Sequence, residues 1–232
     1  MTGSACNVID DKRLAVAAMP NATVLLWELN HRVKNNFQII VSLMNLKKRM
    51  LPSDRRGDIR FLEEHVQSMA VAYRLVYATG DMLEVPVGEL LGELVSELRQ
   101  IARLSADQVL IESASVQDTM GLDQAIALGL YLAVVLPPYL DRALTGGGSV
   151  FIRATEEEKV LTLSIGGSWP EPIPPDLLRT RLSEGYAGQL LAETISLPDA
   201  PELRICLRLD ERRPAITSSR SSTPSSLNPA SN

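Results

Sequence analysis

Residues 22–51 read ATVLLWELNHRVKNNFQIIVSLMNLKKRML, a run with no Gly and no Pro. Within it Leu26, Leu29, Val33, Ile40 and Leu43 recur at three, four or their sum, flanked by Phe37, Met44 and Leu51. That period predicts one long amphipathic helix, about 45 Å at roughly 1.5 Å per residue. Pro52, Ser53 and Gly57 interrupt it, and from Ile59 the series Ile59, Leu62, Val66, Met69, Tyr73, Val76 alternates three and four without a miss. A second helix therefore returns antiparallel to the first. Two helices with wide apolar faces do not close a core alone, so the hairpin is expected to pair with a second copy as a homodimeric four-helix bundle.

Beyond Gly80 the pattern changes. Val87 to Leu104 reads as a helix, Val109 to Ser113 as a strand, and Leu122 to Leu136 as a strongly apolar helix ending near Pro137 and Pro138. Gly146, Gly147 and Gly148 lead into Val150-Phe151-Ile152, and Lys159 to Ile165 alternates, which predicts a hairpin across Thr155 to Glu158. Leu177 to Leu182 and Ala187 to Leu197 read as helical, and Leu203 to Leu209 as a closing strand. The fold class is thus mainly α plus an α+β domain, a layer of helices on one sheet. Ten of the 22 residues from Glu211 to Asn232 are Ser or Pro, too polar to offset the entropy of ordering. The expected division is an N-terminal arm at 1–21, the helical hairpin at 22–79, the α+β domain at 85–210 and a disordered tail at 211–232.

Composition narrows the function. The 232 residues are 45% hydrophobic and 22% charged with a net charge of −5, which disfavours nucleic acid and anionic membranes as partners. Cys6 and Cys206 alone support neither a disulfide framework nor a zinc cluster, and a reducing cytoplasm is expected. No stretch reaches about 18 uninterrupted apolar residues, and the first twenty lack a leader pattern. Met1 to Asn21 is short for a sensor domain, so input is expected from another protein.

The only histidines are His31 and His65. Steps of three and four from Glu28 give His31, Asn35, Gln38, Ser42 and Asn45, an uncharged polar stripe off the apolar face. The string Glu28-Leu29-Asn30-His31-Arg32-Val33-Lys34-Asn35-Asn36 resembles the phosphoacceptor box of bacterial sensor histidine kinases whose motif reads HRVKNN, with the closely allied HWE group. The resemblance implies that His31 is phosphorylated, that the first two helices form the dimerisation and phosphotransfer hairpin, and that residues 85–210 resemble a Bergerat-type ATP-binding domain. The chemistry agrees: an imidazole with an ordinary pKa of about 6.5 is largely neutral near pH 7 and offers a ring lone pair to phosphorus. Glu28 can accept the other ring N–H, with Arg32 and Lys34 offsetting phosphoryl charge; Glu28 and Arg32 equally fit a surface pair at i,i+4. Asn35 can orient a water or the phosphoryl group, or be a bystander. Lys34, Gln38, Ser42 and Asn45 are the expected receiver-binding face. His65, after Glu63 and Glu64, reads as a solvated histidine on the outward side of the second helix. Lys47, Lys48, Arg49, Arg55 and Arg56 read as a solvated basic tip.

In the resembled family an Asn before the glycine-rich region helps hold magnesium, and an Asp in a DNG-type box reads adenine. The segment from Leu132 to Leu144 holds no Asn, and Ile165 stands where the Asp is expected. Trp169-Pro170-Glu171 resembles the WxE of the HWE group in a displaced register. Gly146 to Gly148 is followed by no Lys-Ser/Thr and reads as a turn entering a strand, and Gly185 and Gly188 as helix punctuation. A phosphoacceptor helix beside a degenerate ATP domain resembles a histidine phosphotransferase derived from a kinase. It would shuttle phosphoryl groups between receiver-domain Asp and His31, with no cofactor or metal in this chain and Mg²⁺ in the partner receiver. Response-regulator receivers and a hybrid histidine kinase are the expected partners. The alternatives are a diverged ATP-dependent kinase and a pseudokinase interaction protein, distinguished by nucleotide binding and by the effect of His31→Ala.

Overall fold

A computed structural model describes residues 28–29, 32–33, 35–79, 84–196 and 202–209. The expected arm at 1–21 and tail at 211–232 lie outside these residues. Helix α1 occupies 35–50, with 28–29 and 32–33 also helical. A 3₁₀ turn at Ser53–Arg55 leads into α2, Arg56–Thr79. The two run antiparallel: the Phe37 and Tyr73 rings lie 5.5 Å apart, and Lys48 Nζ meets Glu63 Oε2 at 2.5 Å.

The facing rows differ from the expected ones. Val33, Phe37, Val41, Met44 and Lys48 are the half-buried row of α1, whereas Leu29, Ile40 and Leu43 are exposed. On α2 the expected series is mostly half-buried, with Leu62 exposed and Val76 buried. A different face of α2, carrying Glu64, Ser68, Val71, Ala72 and Leu75, is fully covered, because α2 also packs on the domain that follows.

That domain begins with β1 (Glu84–Pro86) and α3 (Val87–Ala102), then β2 (Val109–Glu112) and β3 (Thr119–Gly121). The short strands β1 and β3 pair antiparallel, so α3 and α4 leave this two-stranded ribbon from opposite ends. Helix α4 (Leu122–Val135) runs into α5 (Pro137–Gly146). The expected stop at the two prolines is instead a junction, since proline is at home in the first turn of a helix. Strands β4 (Val150–Glu157) and β5 (Val160–Gly167) follow. They are longer than expected and turn on Glu158 and Lys159 alone, both at positive φ. Helix α6 (Leu177–Gln189), β6 (Glu193–Ser196) and β7 (Glu202–Arg208) complete the order. The helix expected over Ala187 to Leu197 thus yields to β6, because Thr194 and Ile195 pair with Ile205 and Arg204 of β7. Residue 197 lies outside the described residues.

The five-stranded sheet has the order β2-β4-β5-β7-β6, with only β2 and β4 parallel. Helices α3 and α5 pack on the sheet, α4 lies against both, and α2 and α6 flank α4. Val71, Ala72, Leu75 and Val76 of α2 share one core with Leu91, Leu128, Leu132, Ile152 and Leu163. The arrangement is a helical segment followed by an α/β layer, as the sequence pattern predicts. By length and composition the run Leu122–Gly146 is the one described helix apolar enough to cross a membrane, and it is mostly buried in this core.

Candidate phosphoacceptor helix and the crevice beside α5

Three residues of the phosphoacceptor-like string, Asn30, His31 and Lys34, lie outside the described residues. Around them Glu28 and Arg32 form the i,i+4 pair: Arg32 Nη2 and Nε donate to Glu28 Oε1 at 2.6 and 3.1 Å, both side chains exposed. Asn35 is half-buried, while Gln38, Ser42 and Asn45 are exposed along the same side of α1. Ser42 Oγ donates to the Gln38 carbonyl at 2.8 Å, so its hydroxyl proton is committed to its own helix. What this face offers a partner is amide groups and a hydroxyl oxygen, with charge at its N-terminal end.

His65 does not point outward. Its Nδ1 lies 2.7 Å from the Phe61 carbonyl, and its ring packs on Phe61 at 4.4 Å and faces Tyr186 of α6 at 6.3 Å. Burial, partly countered by the Phe61 carbonyl and reinforced by the Arg179 guanidinium, holds its pKa below the ordinary histidine value. Glu64 beside it is only 1% exposed. Arg60 Nε donates to Glu64 Oε1 at 2.9 Å, and Arg60 Nη1 to Asp141 Oδ1 of α5 at 2.7 Å. Burial pushes the Glu64 pKa up against the pull of Arg60 and Arg179. The triplet Glu63-Glu64-His65 is charged in sequence yet covered in the fold, because α2 has neighbours on several sides. At the basic tip Lys48 is taken by Glu63 and Arg56 Nε donates to the Leu51 carbonyl at 3.0 Å, while Lys47, Arg49 and Arg55 are exposed.

In the second domain the crevice between α5 and the end of β5 is lined by side chains. Ile165 is fully buried, paired across the sheet with Ile152 and Leu203. The Trp169 ring folds back over Gly167, where any Cβ would strike it, and sits 6.3 Å from Tyr139 and 5.8 Å from the Arg142 guanidinium. Arg142 Nη2 also donates to Glu171 Oε2 at 2.6 Å. Burial raises the Tyr139 phenol to about 12, so it stays protonated. The glycine run is a clamped turn: Gly147 and Gly148 have positive φ, and Ser149 N donates to Ser168 Oγ at 2.9 Å. Gly185 and Gly188 lie within α6 facing open space. A magnesium nucleotide needs hard oxygen ligands and phosphate donors. Ile165, at the position where the resembled family reads adenine with an Asp, offers no oxygen ligand, whereas Arg142 and Glu171 close by are paired with each other. Tyr139 and Arg142, which frame Trp169, escaped sequence reading because nothing local marks them as neighbours.

Comparison with known proteins bears on the same elements. Residues 28–102 match the sequence family described as HisKA_2, histidine kinase. The fold is similar to the histidine kinase domain of the blue-light activated histidine kinase of Erythrobacter litoralis EL346, with a TM-score of 0.55 and 18% identity. That similarity covers 82% of this chain and 95% of the other. A longer form of the same kinase aligns with a TM-score of 0.54 and 20% identity over 90% of this chain, which spans 63% of that protein's length. No curated protein matches the sequence.

Proposed function

We propose that this chain, a member of the bacterial histidine kinase superfamily by its match over residues 28–102, is a histidine phosphotransferase of a two-component relay. In this reading residues 22–79 are the phosphotransfer hairpin, 85–210 a degenerate ATPase-like binding platform, and His31 the phosphoacceptor. An imidazole nitrogen of His31 attacks the acyl phosphate of a receiver Asp; the N–P bond forms, the P–O bond to the carboxylate breaks, and the ring proton leaves to water. The reverse step returns the group to a second receiver. Glu28, Arg32 and Asn35 support the site, and Lys34, Gln38, Ser42 and Asn45 meet the receiver, which supplies its own Mg²⁺. A hybrid histidine kinase is a fitting donor, and the cytoplasm the fitting compartment.

The observation that carries the ATP-independent part is the filled crevice: Ile165 is fully buried where an adenine-reading carboxylate belongs, and Trp169 covers Gly167. The family match itself favours a second reading, an ATP-dependent kinase with a diverged nucleotide site. Dimerisation is proposed from the exposed row Ile39, Leu43, Leu46 and Met50 of α1 and Leu62 of α2, apolar side chains with no covering element among the described residues.

The deciding experiment incubates the full chain with phosphorylated receiver domains and maps acid-labile phosphate, alongside calorimetry with Mg-ATP. Phosphate on wild type but not on His31→Gln, with silent calorimetry, is the expected result. Nucleotide binding tighter than about 100 μM, roughly −5.5 kcal/mol, would instead establish the diverged kinase. Labelling of His31→Gln at wild-type rate would remove His31 from the scheme.

A further inference from the structure

Helix α6 is fastened at its two ends by different kinds of contact. Near its C-terminal end Ala187 and the capping residue Leu190 are buried in the core, and Tyr186 packs against it. Toward its start no residue from Leu177 to Tyr186 is buried, and Leu177 and Leu178 stand exposed. The helix lies along α4, and its start reaches α2 through Arg179. Its Nη1 donates to the Val134 carbonyl at 2.9 Å, its Nη2 lies 3.8 Å from Glu64 Oε2, and its guanidinium stacks over the Phe61 ring at 5.4 Å.

These contacts have a cause in the chain. Val134 sits four residues before Pro138, which has no N–H, so its carbonyl lacks the usual helical donor and Arg179 takes that place. Glu64 Oε2 and Arg60 Nη2 are buried without a hydrogen-bond partner among the described residues, so the polar contact under the start of α6 is incompletely satisfied. The contact of α6 with α2, made of one guanidinium and part-satisfied charges, separates at lower cost than an apolar one, since each group regains water on opening. The helix itself is closed at its start. Asp176 Oδ1 accepts from Arg179 N at 2.8 Å, and Thr180 N donates to the Asp176 carbonyl at 2.8 Å. It can therefore move as a unit. The segment before it carries Pro170, Pro172, Pro174 and Pro175, a stiff arm, and the segment after it turns at Leu191 with φ of +51°.

We propose that α6 is a strap that swings about its buried end at Ala187 and Leu190, with Arg179 as the fastening of its free end and the Phe61–Glu64 face of α2 as the surface it covers. This holds whether or not His31 carries phosphate. Opening presents a carboxylate and an aromatic ring of the hairpin helix to solvent without unfolding either helix.

The test is carboxylate footprinting of the full chain with carbodiimide and glycine ethyl ester, read by peptide mass, in wild type, Arg179→Met and Arg179→Lys. Glu63, which is covered from the α1 side by Lys48 rather than by α6, is the control. The expected result is slow labelling of Glu64 in wild type, at least fivefold faster labelling in Arg179→Met, an intermediate rate in Arg179→Lys, and an unchanged Glu63. Equal Glu64 rates in all three proteins would overturn the strap. So would a joint rise of Glu63 and Glu64 with lost hydrogen-exchange protection in β4 and β5, since that reports unfolding. If Arg179→Met fails to fold, the Arg179→Lys ratio decides by the same criteria.

Discussion

Gly129 of α4 lies directly beneath the carbonyl of Ser68 on α2: a Cβ at Gly129 would sit 3.1 Å from that oxygen. The two helices approach this closely because one of them has no side chain at the crossing. In an isolated helix Gly→Ala gains about 1 kcal/mol. Here the added methyl meets backbone that cannot rotate away, and overpacking costs about 1–3 kcal/mol. Gly129→Ala is therefore expected to lower stability by about 1 kcal/mol in urea unfolding. A gain in stability would mean that α2 shifts freely on α4.

Leu191 presents the opposite case. It is 90% exposed and adopts a left-handed conformation after α6, where the Ala192 N–H reaches back to the Ala187 carbonyl at 2.9 Å. This is a position that suits glycine, and a left-handed non-glycine residue costs about 1–2 kcal/mol. Leu191→Gly should raise the melting temperature by about 2–4 °C, the shift expected for roughly 1 kcal/mol in a chain of this size. A fall would show that the Leu191 side chain has a docking role.

Stability should also depend on His65. Its folded pKa lies below the ordinary value, so the stabilisation is complete above about pH 6.5 and is lost as pH falls through the depressed value. Facing it are Arg179 and Tyr186 of α6, with Glu64 and Arg60 on its own helix. Glu64 acts oppositely: its raised pKa favours the fold when protonated, and that contribution fades as pH rises through the raised value. Between pH 7.5 and 5.5 wild type should lose stability, and His65→Gln should flatten or reverse that slope. An identical slope in the variant would exclude His65 as its source.

The exposed apolar row gives a fourth expectation. Met50 is 74% exposed, in line with Leu46, Leu43 and Ile39. Light scattering should find wild type dimeric at micromolar concentration and Leu43→Glu monomeric, with unchanged far-ultraviolet circular dichroism. A monomeric wild type would leave the row for another partner.

Period carries most of what the sequence reveals about this fold. The spacing of apolar residues places α2, α3, α4 and β7 within a few residues, because each buries a regular face. It fails where neighbours rather than spacing decide. Thr194 and Ile195 look helical after Ala187 until β7 pairs with them. Val41 falls outside the expected apolar series yet is half-buried, and His65 reads as solvated until Phe61 and Tyr186 pack against it. The site divides in the same way. The string from Glu28 to Asn36 is legible because its chemistry is local, whereas the crevice depends on Tyr139, Arg142 and Trp169 meeting across three segments.

The shared core of α2 and the α/β layer bears on how such a protein can evolve. Val71, Ala72, Leu75 and Val76 supply part of the wall that α4 needs. A recombination event that replaced the hairpin with another, leaving residues 84–209 intact, would expose apolar α4 and press a foreign helix onto Gly129. Viable exchanges must transfer α2 and α4 together, so these two helices are expected to drift as a pair.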